Sequence, residues 1–245
     1  MENSLLNYMN KRFGEISQAR HQGARLQHAH IAGPVITISR QVGCRGIKTA
    51  QNLAEALNEF VICKKWQVIS KEVLHESARQ LELDPRKVNR LFTPDEHSTF
   101  DEIIEAFNAK MYKSDRMILK TVKEVIKGFA VDGCCIIVGR AGHIIAKDIE
   151  HSLHIRLEAP LDWRIEQIAS RNNISMDEAV KFIAESEKKR EAFRKHYLSK
   201  KHPEIMFDLV INISRFKPEN VVRLIKSAAE LKGITESLRS NVSYF

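Results

Sequence analysis

The hydrophobic positions of the chain form short apolar runs that alternate with longer stretches of helical periodicity. The runs are rich in β-branched side chains, which is typical of strands buried on both faces of a parallel sheet. They lie at residues 35–38, 134–138, 153–157 and 209–212, with shorter strand candidates at 60–63 and 67–69.

Between these runs the apolar residues recur every three or four positions, which indicates amphipathic helices. Predicted helices cover residues 5–26, 49–57, 71–83, 100–129, 161–171, 175–198 and 218–231. Ser175 with Glu178 three positions later predicts a capping box at the start of one helix. Pro218 suits the first turn of the last helix.

The alternation of strands and helices predicts an α/β fold with a doubly wound parallel sheet and helices on both faces. Ligands of such folds bind beyond the carboxyl ends of the strands. We therefore expect functional residues in the loops that follow Ile38, Val138 and Leu157.

The length of 245 residues fits one α/β domain with additions. We predict a helical N-terminal extension at residues 1–32, a domain at 33–232 and a polar tail at 233–245. The long helical segment near 100–129 either packs on the core, which we prefer, or forms a homodimer.

Positive charge predominates, since 39 Lys and Arg residues against 31 Asp and Glu residues give a formal net charge of +8. Such a chain binds nucleic acid, or it binds a small polyphosphate beneath a basic lid. The cations are concentrated at residues 188–202 and no basic patch is interleaved with aromatic residues, which favours the polyphosphate.

Compartment signals are few. No apolar run approaches the roughly 18 residues of a membrane span, and residues 1–20 lack the apolar segment of a secretory signal. The four cysteines, which show no paired spacing, fit buried side chains in a reducing cytosol. We therefore expect a cytoplasmic protein without a membrane partner.

The first candidate loop lies within VITISRQVGCRGIKTA, residues 35–50. Gly43 and Gly46 stand just before a helix, where backbone N–H groups favour anions, and Arg40 and Arg45 add positive charge. The alternative is an ordinary turn between strand and helix that needs glycine for its dihedral angles.

Two further segments carry arginines. Arg140 directly follows a buried strand, where a guanidinium needs either an anionic ligand or a carboxylate partner. Arg190 and Arg194 are four positions apart and share one helix face, which is either a solvated face or a lid that closes over a phosphate chain.

Five motifs in order resemble the cytidylate kinase-like family, a branch of the P-loop nucleoside monophosphate kinases. They are VITISRQ-x-G-x-x-G, IIVGR-x-G, APLDWRIEQI, EKKREAFRKHY and FDLVINISR. The resemblance covers residues 35 to about 229 and implies a three-layer P-loop kinase fold. It also implies a helical insert at about 70–128 and a lid at about 172–204.

The resemblance implies ATP and Mg²⁺ as cofactors and a nucleoside monophosphate such as CMP or dCMP as the acceptor. Its catalytic candidates are Arg140, Arg190, Arg194 and Lys48, with Arg164 or Arg171 nearer the hinge. Its candidates for the ATP phosphates are Ser39, Arg40, Gln41, Gly43, Cys44, Arg45, Gly46 and Thr49. No side chain is assigned as a metal ligand.

The phosphate loop departs from the usual P-loop pattern. Aligned without gaps, the usual lysine falls at Gly46, and Lys48, Arg45 or Arg40 would have to supply the cation. If the alignment is shifted so that Lys48 occupies the position of the usual P-loop lysine, Val42 falls where that pattern has a glycine.

The aspartate expected at the start of the insert is replaced by Ser70. Two hypotheses follow from these departures. The protein is a phosphotransferase with an altered loop, or it is a nucleotide sensor or partner-binding protein on the same fold.

Overall fold

The fold is described from a computed structural model, in which residues 33–59, 65–70, 112–198 and 206–235 are described, with backbone only at 112–118. The predicted N-terminal helix, the strand at 60–63, most of the helical insert and most of the polar tail lie outside these ranges. The possible dimer through residues 100–129 stays a prediction.

The described residues form a parallel sheet of five strands. They are β1 (Val35–Arg40), β2 (Gln67–Ile69), β3 (Cys135–Val138), β4 (Ser152–Glu158) and β5 (Leu209–Asn212). The order across the sheet is β2-β3-β1-β4-β5, and every neighbouring pair is parallel. The predicted parallel sheet is confirmed.

Helices cover both faces of this sheet. They are α1 (Gly46–Asn58), α2 (Tyr112–Asp132), α3 (Gly142–Ile145), α4 (Leu161–Asn172), α5 (Met176–Lys195) and α6 (Pro218–Leu231), with a 3₁₀ turn at Ile213–Arg215. Helices α1 and α6 pack together on one face, whereas α2 and α3 pack on the other. The result is the predicted three-layer arrangement.

Local sequence signals explain the helix boundaries. Ser175 and Glu178 form the predicted capping box at the start of α5, and Pro218 opens α6. Helix α5 ends at Lys195, earlier than the expected end near residue 198. The short helix α3, which follows Gly139 and Arg140, was not predicted because one turn carries no periodicity.

The main core lies between the sheet and the pair α1 and α6. Fully buried side chains from three strands meet the apolar stripe of α1 there. The stripe consists of Ala50, Leu53, Ala54 and Leu57, all buried, as its spacing predicts. Burial of these large aliphatic groups is the main favourable contribution to folding.

The opposite face of the sheet is polar at its centre. Thr37 Oγ1 contacts His154 Nδ1 at 2.8 Å, and Ser39 Oγ contacts His143 Nδ1 at 3.1 Å, all four residues being buried. Paired polar groups satisfy one another in a low-dielectric interior, so they fix a single arrangement of β1, β4 and α3.

The structure bears on the cysteines and on the question of a membrane span. Cys44, Cys134 and Cys135 are buried thiols outside any disulfide, as predicted for them, whereas Cys63 lies outside the described ranges. Over the described stretches, none of the helices has the length and apolar character needed to cross a bilayer.

Candidate functional site

A cavity of about 400 Å³ opens at the carboxyl ends of β1 and β3. Its walls come from the end of β1, the loop after β3, β4 and one face of α5. Residues that line it include Ser39, Arg40, Gln41, Ser70, Arg140, His143, Arg156, Glu187, Lys189, Arg190, Glu191 and Arg194. This is the edge of a parallel sheet where ligands are expected.

Five arginines from four segments of the chain meet in this cavity. Arg40 ends β1, Arg140 follows β3, Arg156 lies on β4, and Arg190 and Arg194 project from α5. Guanidinium groups bind phosphate oxygens through two parallel N–H donors, so such a cluster is suited to a phosphate chain.

Burial, and secondarily the charges of neighbouring groups, lowers the pKa values of four of these arginines. Burial, reinforced by the charges of Arg190 and Arg140, lowers the pKa of Arg40 to about 9. Burial and the charge of Arg190 lower the pKa of Arg140 to about 10. Burial also lowers the pKa of Arg190 and of Arg194. The groups stay charged at neutral pH, and a bound anion would relieve the repulsion.

Two glycines make room for the Arg40 side chain. A methyl group on Gly46 would lie 3.0 Å from Arg40 Cγ, and one on Gly139 would collide with Arg40 Nη1. Gly139 also has a φ of 71°, which disfavours other residues. The motif glycines therefore direct the Arg40 guanidinium toward the loop after β3.

The carboxylates at the cavity wall are already paired. Glu187 accepts a hydrogen bond from Arg164 Nη1 at 2.7 Å, and Glu191 pairs with Lys195 at 3.0 Å. Arg156 pairs with Glu158 at the cavity edge. Burial lowers the pKa of Arg190 and of Arg194, and the charge of Glu187 partly offsets this effect. More cations than carboxylates line the cavity, so its interior stays cationic.

The glycine loop, residues 41–46, uses several of its own N–H groups inside the protein. Gln41 N donates to Leu157 O at 3.0 Å, Val42 N donates to Glu187 Oε1 at 3.3 Å, and Cys44 N donates to Gln41 O at 3.3 Å. These three donors are therefore used within the protein, while five arginine side chains bring positive charge into the cavity.

Six of the predicted site residues come together at the cavity. They are Ser39, Arg40, Gln41, Arg140, Arg190 and Arg194. Arg190 also donates from Nη1 to Arg40 O at 3.2 Å, which joins α5 to the end of β1. Ser70, at the position of the expected aspartate, lines the same cavity.

The other predicted site residues lie outside the cavity lining. Cys44 is in the core, where burial raises the pKa of its thiol to about 11. Arg45 donates to Gln167 Oε1 at 2.7 Å, Thr49 Oγ1 donates to Arg45 O at 3.3 Å, and Lys48 is exposed. Gly43 packs against the backbone of α4, and Gly46 packs against the aliphatic part of the Arg40 side chain.

Arg156 is the cavity arginine that sequence reasoning missed. It stands opposite Ser39 in the register of β1 and β4, so both side chains face the same side of the sheet. The alternation of side chains along strand residues 153–157 shows that Arg156 shares a face with His154. Which face borders the cavity depends on the pairing of β4 with β1, which the sequence does not give. Phe207 stacks against His143, and its ring centroid lies 5.6 Å from the guanidinium carbon of Arg156.

His143 contacts Ser39 in the cavity floor, a position that its place in the sequence did not indicate. Burial, reinforced by His154, Arg194 and Arg156, lowers its pKa to about 3. The imidazole is therefore neutral at physiological pH and serves as a hydrogen-bonding partner of Ser39.

Within the described parts of the chain, no group of three His, Cys, Asp or Glu side chains is arranged to hold a metal ion. In the cavity the oxygen donors are two paired carboxylates, Glu187 and Glu191, and the hydroxyls of Ser39, Ser70 and Ser186. These residues do not form a dedicated Mg²⁺ site.

Comparison with known proteins agrees with this geometry. The model of the cytidylate kinase-like family matches residues 35–215. A cytidylate kinase of Sulfolobus acidocaldarius is 30% identical over 68% of this chain and 81% of its own length. One of Methanocaldococcus jannaschii is 26% identical over 80% of this chain and 97% of its own length.

A third relative, the cytidylate kinase of Pyrococcus horikoshii, is 36% identical, but the match spans about half of that protein (52%) and 41% of this chain. Among solved structures, an uncharacterized protein from Eubacterium ventriosum superposes with a TM-score of 0.57 at 19% identity, over 80% of this chain and 98% of that one. This likeness concerns the fold alone. Because the family model covers most of the chain, the chain belongs to the cytidylate kinase-like family.

Proposed function

We propose that this protein transfers the γ-phosphoryl group of ATP to a nucleoside monophosphate such as CMP or dCMP. The observation that carries the proposal is the convergence of five arginines on one cavity at the strand ends of a cytidylate kinase-like fold. Curated relatives are named cytidylate kinase, which supports a nucleotide acceptor.

The arginines can perform most of the chemistry that phosphoryl transfer needs. The reaction is promoted by positioning and by neutralisation of charge on the phosphoryl oxygens, and no covalent protein intermediate is required. We assign Arg40 and Arg140, beside the strand ends, to the phosphates of the bound nucleotides. We assign Arg190 and Arg194 on α5 to the group in transfer.

Arg40 is our candidate for the cation that replaces the usual phosphate-loop lysine. Its guanidinium enters the cavity from β1 and lies against Gly139, whereas Lys48 is exposed and outside the cavity lining. The lysine position itself is Gly46, whose lack of a side chain leaves room for Arg40. The positive charge would therefore approach the phosphates from the strand rather than from α1.

Family membership implies the use of Mg²⁺ together with ATP. Since the described side chains do not form a dedicated site, we assign no protein ligand to the ion. In kinase sites Mg²⁺ keeps several waters and is held by substrate phosphates with one or two carboxylates, and it would supply charge neutralisation there.

A second function deserves a test because the loop departs from the usual pattern. With Gly46 in the lysine position and three loop N–H groups used internally, the protein could bind nucleotide without turnover and act as a sensor. This alternative predicts saturable binding and no formation of ADP.

The test is isothermal calorimetry with Mg²⁺-ATP, with CMP, and with the bisubstrate analogue that joins adenosine to cytidine through five phosphates. We expect the analogue to bind more tightly than either nucleotide. Arg140→Ala and Arg190→Ala should each weaken it roughly ten- to hundredfold, because each removes charge-assisted hydrogen bonds. The matched control is Arg223→Ala, an exposed arginine of α6 outside the cavity.

An assay for ADP with CMP and dCMP then separates the two functions. Turnover that falls in Arg190→Ala but not in Arg223→Ala supports the kinase. Binding of the analogue without ADP from any nucleoside monophosphate identifies the sensor. Absence of heat with every ligand would contradict both.

A further inference from the structure

An ion pair between α4 and α5 holds the glycine loop at Val42. Glu187 Oε1, on α5, accepts hydrogen bonds from Arg164 Nη1 at 2.7 Å and from Val42 N at 3.3 Å. Arg164 Nη1, on α4, also donates to Val42 O at 3.3 Å. Both backbone polar groups of Val42 are therefore engaged by one arginine and one glutamate.

The arginine of this pair is locked in place. Its side chain is only 7% exposed, and Arg164 Nε donates to Ala159 O at 3.0 Å. Gly43 packs against Arg164, where an added methyl group would lie 3.0 Å from Arg164 Cβ. A buried charge with one carboxylate partner holds that partner firmly, because loss of the partner leaves the charge uncompensated.

The pair also sets the position of a candidate catalytic group. Arg190 lies three residues after Glu187 on α5, so the two share a helix face. Arg190 Nη1 donates to Arg40 O at 3.2 Å. Helix α5 thus contacts the chain at Arg40 and at Val42, on both sides of Gln41.

We propose that Glu187 and Arg164 form a clamp that positions the glycine loop and Arg190 for phosphate binding. Glu187 lines the cavity and Arg164 does not, so the pair connects the cavity wall to a buried side chain of α4. The role toward phosphate rests on the proposed function, whereas the role in holding the loop does not.

The sign of the change in anion affinity tests the positioning role. Glu187→Ala removes a negative charge at the cavity wall, and this electrostatic effect alone would strengthen the binding of an anion. If Glu187 acts by positioning, Glu187→Ala instead weakens the binding of inorganic tripolyphosphate, by about tenfold. Calorimetry measures the affinity.

Two variants serve as controls for that measurement. Glu187→Gln keeps an oxygen acceptor for Val42 N, so its affinity should fall between those of the wild type and Glu187→Ala. Glu185→Gln changes an exposed glutamate on the same helix and should bind like the wild type. Tighter or unchanged binding by Glu187→Ala would overturn the positioning role.

Amide hydrogen exchange tests the clamp without any ligand. Loss of the carboxylate should speed exchange at Val42 N–H about tenfold or more, since the amide loses its acceptor, while Glu185→Gln leaves it unchanged. Equal exchange rates in Glu187→Ala and wild type would overturn the clamp. If the wild type binds neither tripolyphosphate nor nucleotide, the proposed function fails, and exchange at Val42 alone decides on the clamp.

Discussion

Arg40 shows how one residue links the loop motif to the cavity. Its side chain passes Gly46 and reaches the backbone of Gly139, and its carbonyl accepts a hydrogen bond from Arg190. Burial, together with the charges of neighbouring arginines, lowers its pKa to about 9, which reflects the electrostatic cost of placing this charge in the cavity. Sites that bind charged ligands commonly retain such a cost.

Substitution Gly139→Ala tests the dependence of Arg40 on its glycine neighbour. The new methyl group would displace the Arg40 guanidinium and would also strain a residue with a φ of 71°. We expect the free energy of unfolding to fall by about 1–3 kcal/mol and the affinity for the bisubstrate analogue to fall about tenfold or more. Urea denaturation and calorimetry measure the two effects.

The control is Gly233→Ala, because Gly233 has a φ of 70° but lies after α6, outside the cavity lining. It should lose comparable stability through backbone strain and keep its affinity for the analogue. Equal affinities in the two variants would show that Gly139 does not position Arg40.

Among single residues, the sequence predicts the place of those that stand at the end of a strand. Arg140 follows the apolar run of β3, and Ser39 and Arg40 follow that of β1, so their place at the cavity follows from the direction of the strands. Lys48 could not be placed in this way, and only the structure shows that it is exposed and outside the cavity lining. The roles of these residues in binding and catalysis stay predictions.

At the scale of elements, α5 contributes Lys189, Arg190 and Arg194 to the basic wall of the cavity, more cations than any other element. Its start is set by local chemistry, since Ser175 Oγ accepts from Glu178 N and the Glu178 carboxylate accepts from Ser175 N. The hydrogen bond that Ser175 Oγ donates to the Glu178 carboxylate, together with the one from Ser175 N, lowers the pKa of Glu178. The charged wall is thus built on a helix whose first turn is independently stabilised.

Loss of this cap should destabilise the protein without touching the cavity. We expect Ser175→Ala to lower the free energy of unfolding by about 1 kcal/mol in urea denaturation, because Glu178 N loses its acceptor and the Glu178 carboxylate loses the hydroxyl that donates to it. Ser175→Asp, whose carboxylate can still accept at the helix N-terminus, should retain most of the free energy of unfolding that Ser175→Ala loses.

Ser227→Ala is the matched control, since Ser227 is exposed in the interior of α6. Alanine favours helix interiors, so this change should be neutral or slightly stabilising. A Ser175→Ala variant as stable as Ser227→Ala would argue against the capping box.

At the scale of the whole molecule, the described residues combine an apolar layer under α1 and α6 with a layer under α2 and α3 that is polar at its centre. This polar centre contains two buried histidines. Burial is the main cause that lowers the pKa of His143, to about 3, and that of His154. Both are therefore neutral in the folded state at pH 7 and must be protonated on unfolding in acid.

This pair predicts how stability depends on pH. The unfolded chain takes up a proton at each histidine near pH 6.5, whereas folded His143 does so only near pH 3. The free energy of unfolding should therefore fall as the pH is lowered from about 6.5 toward 3. The slope is at most about 1.4 kcal/mol per pH unit for each histidine.

Urea denaturation at pH values from about 4.5 to about 7.5, within and just above this window, measures the slope. His143→Gln should flatten the dependence, because one of the two protons is no longer taken up. His196→Gln, at an exposed histidine after α5, should leave the slope as in the wild type. A His143→Gln variant with the wild-type slope would contradict a buried neutral His143.

The sequence by itself determined the strands, most helix boundaries and the family, because these depend on local periodicity, capping and short motifs. It could not determine which charges meet, because that depends on contacts between residues far apart in the chain. Glu187 reaches Val42 across 145 positions, and Arg156 faces Ser39 only through the pairing of β1 and β4. The tertiary structure alone decided that the cavity is built from arginine side chains, with the N–H groups of Gln41, Val42 and Cys44 bonded within the protein.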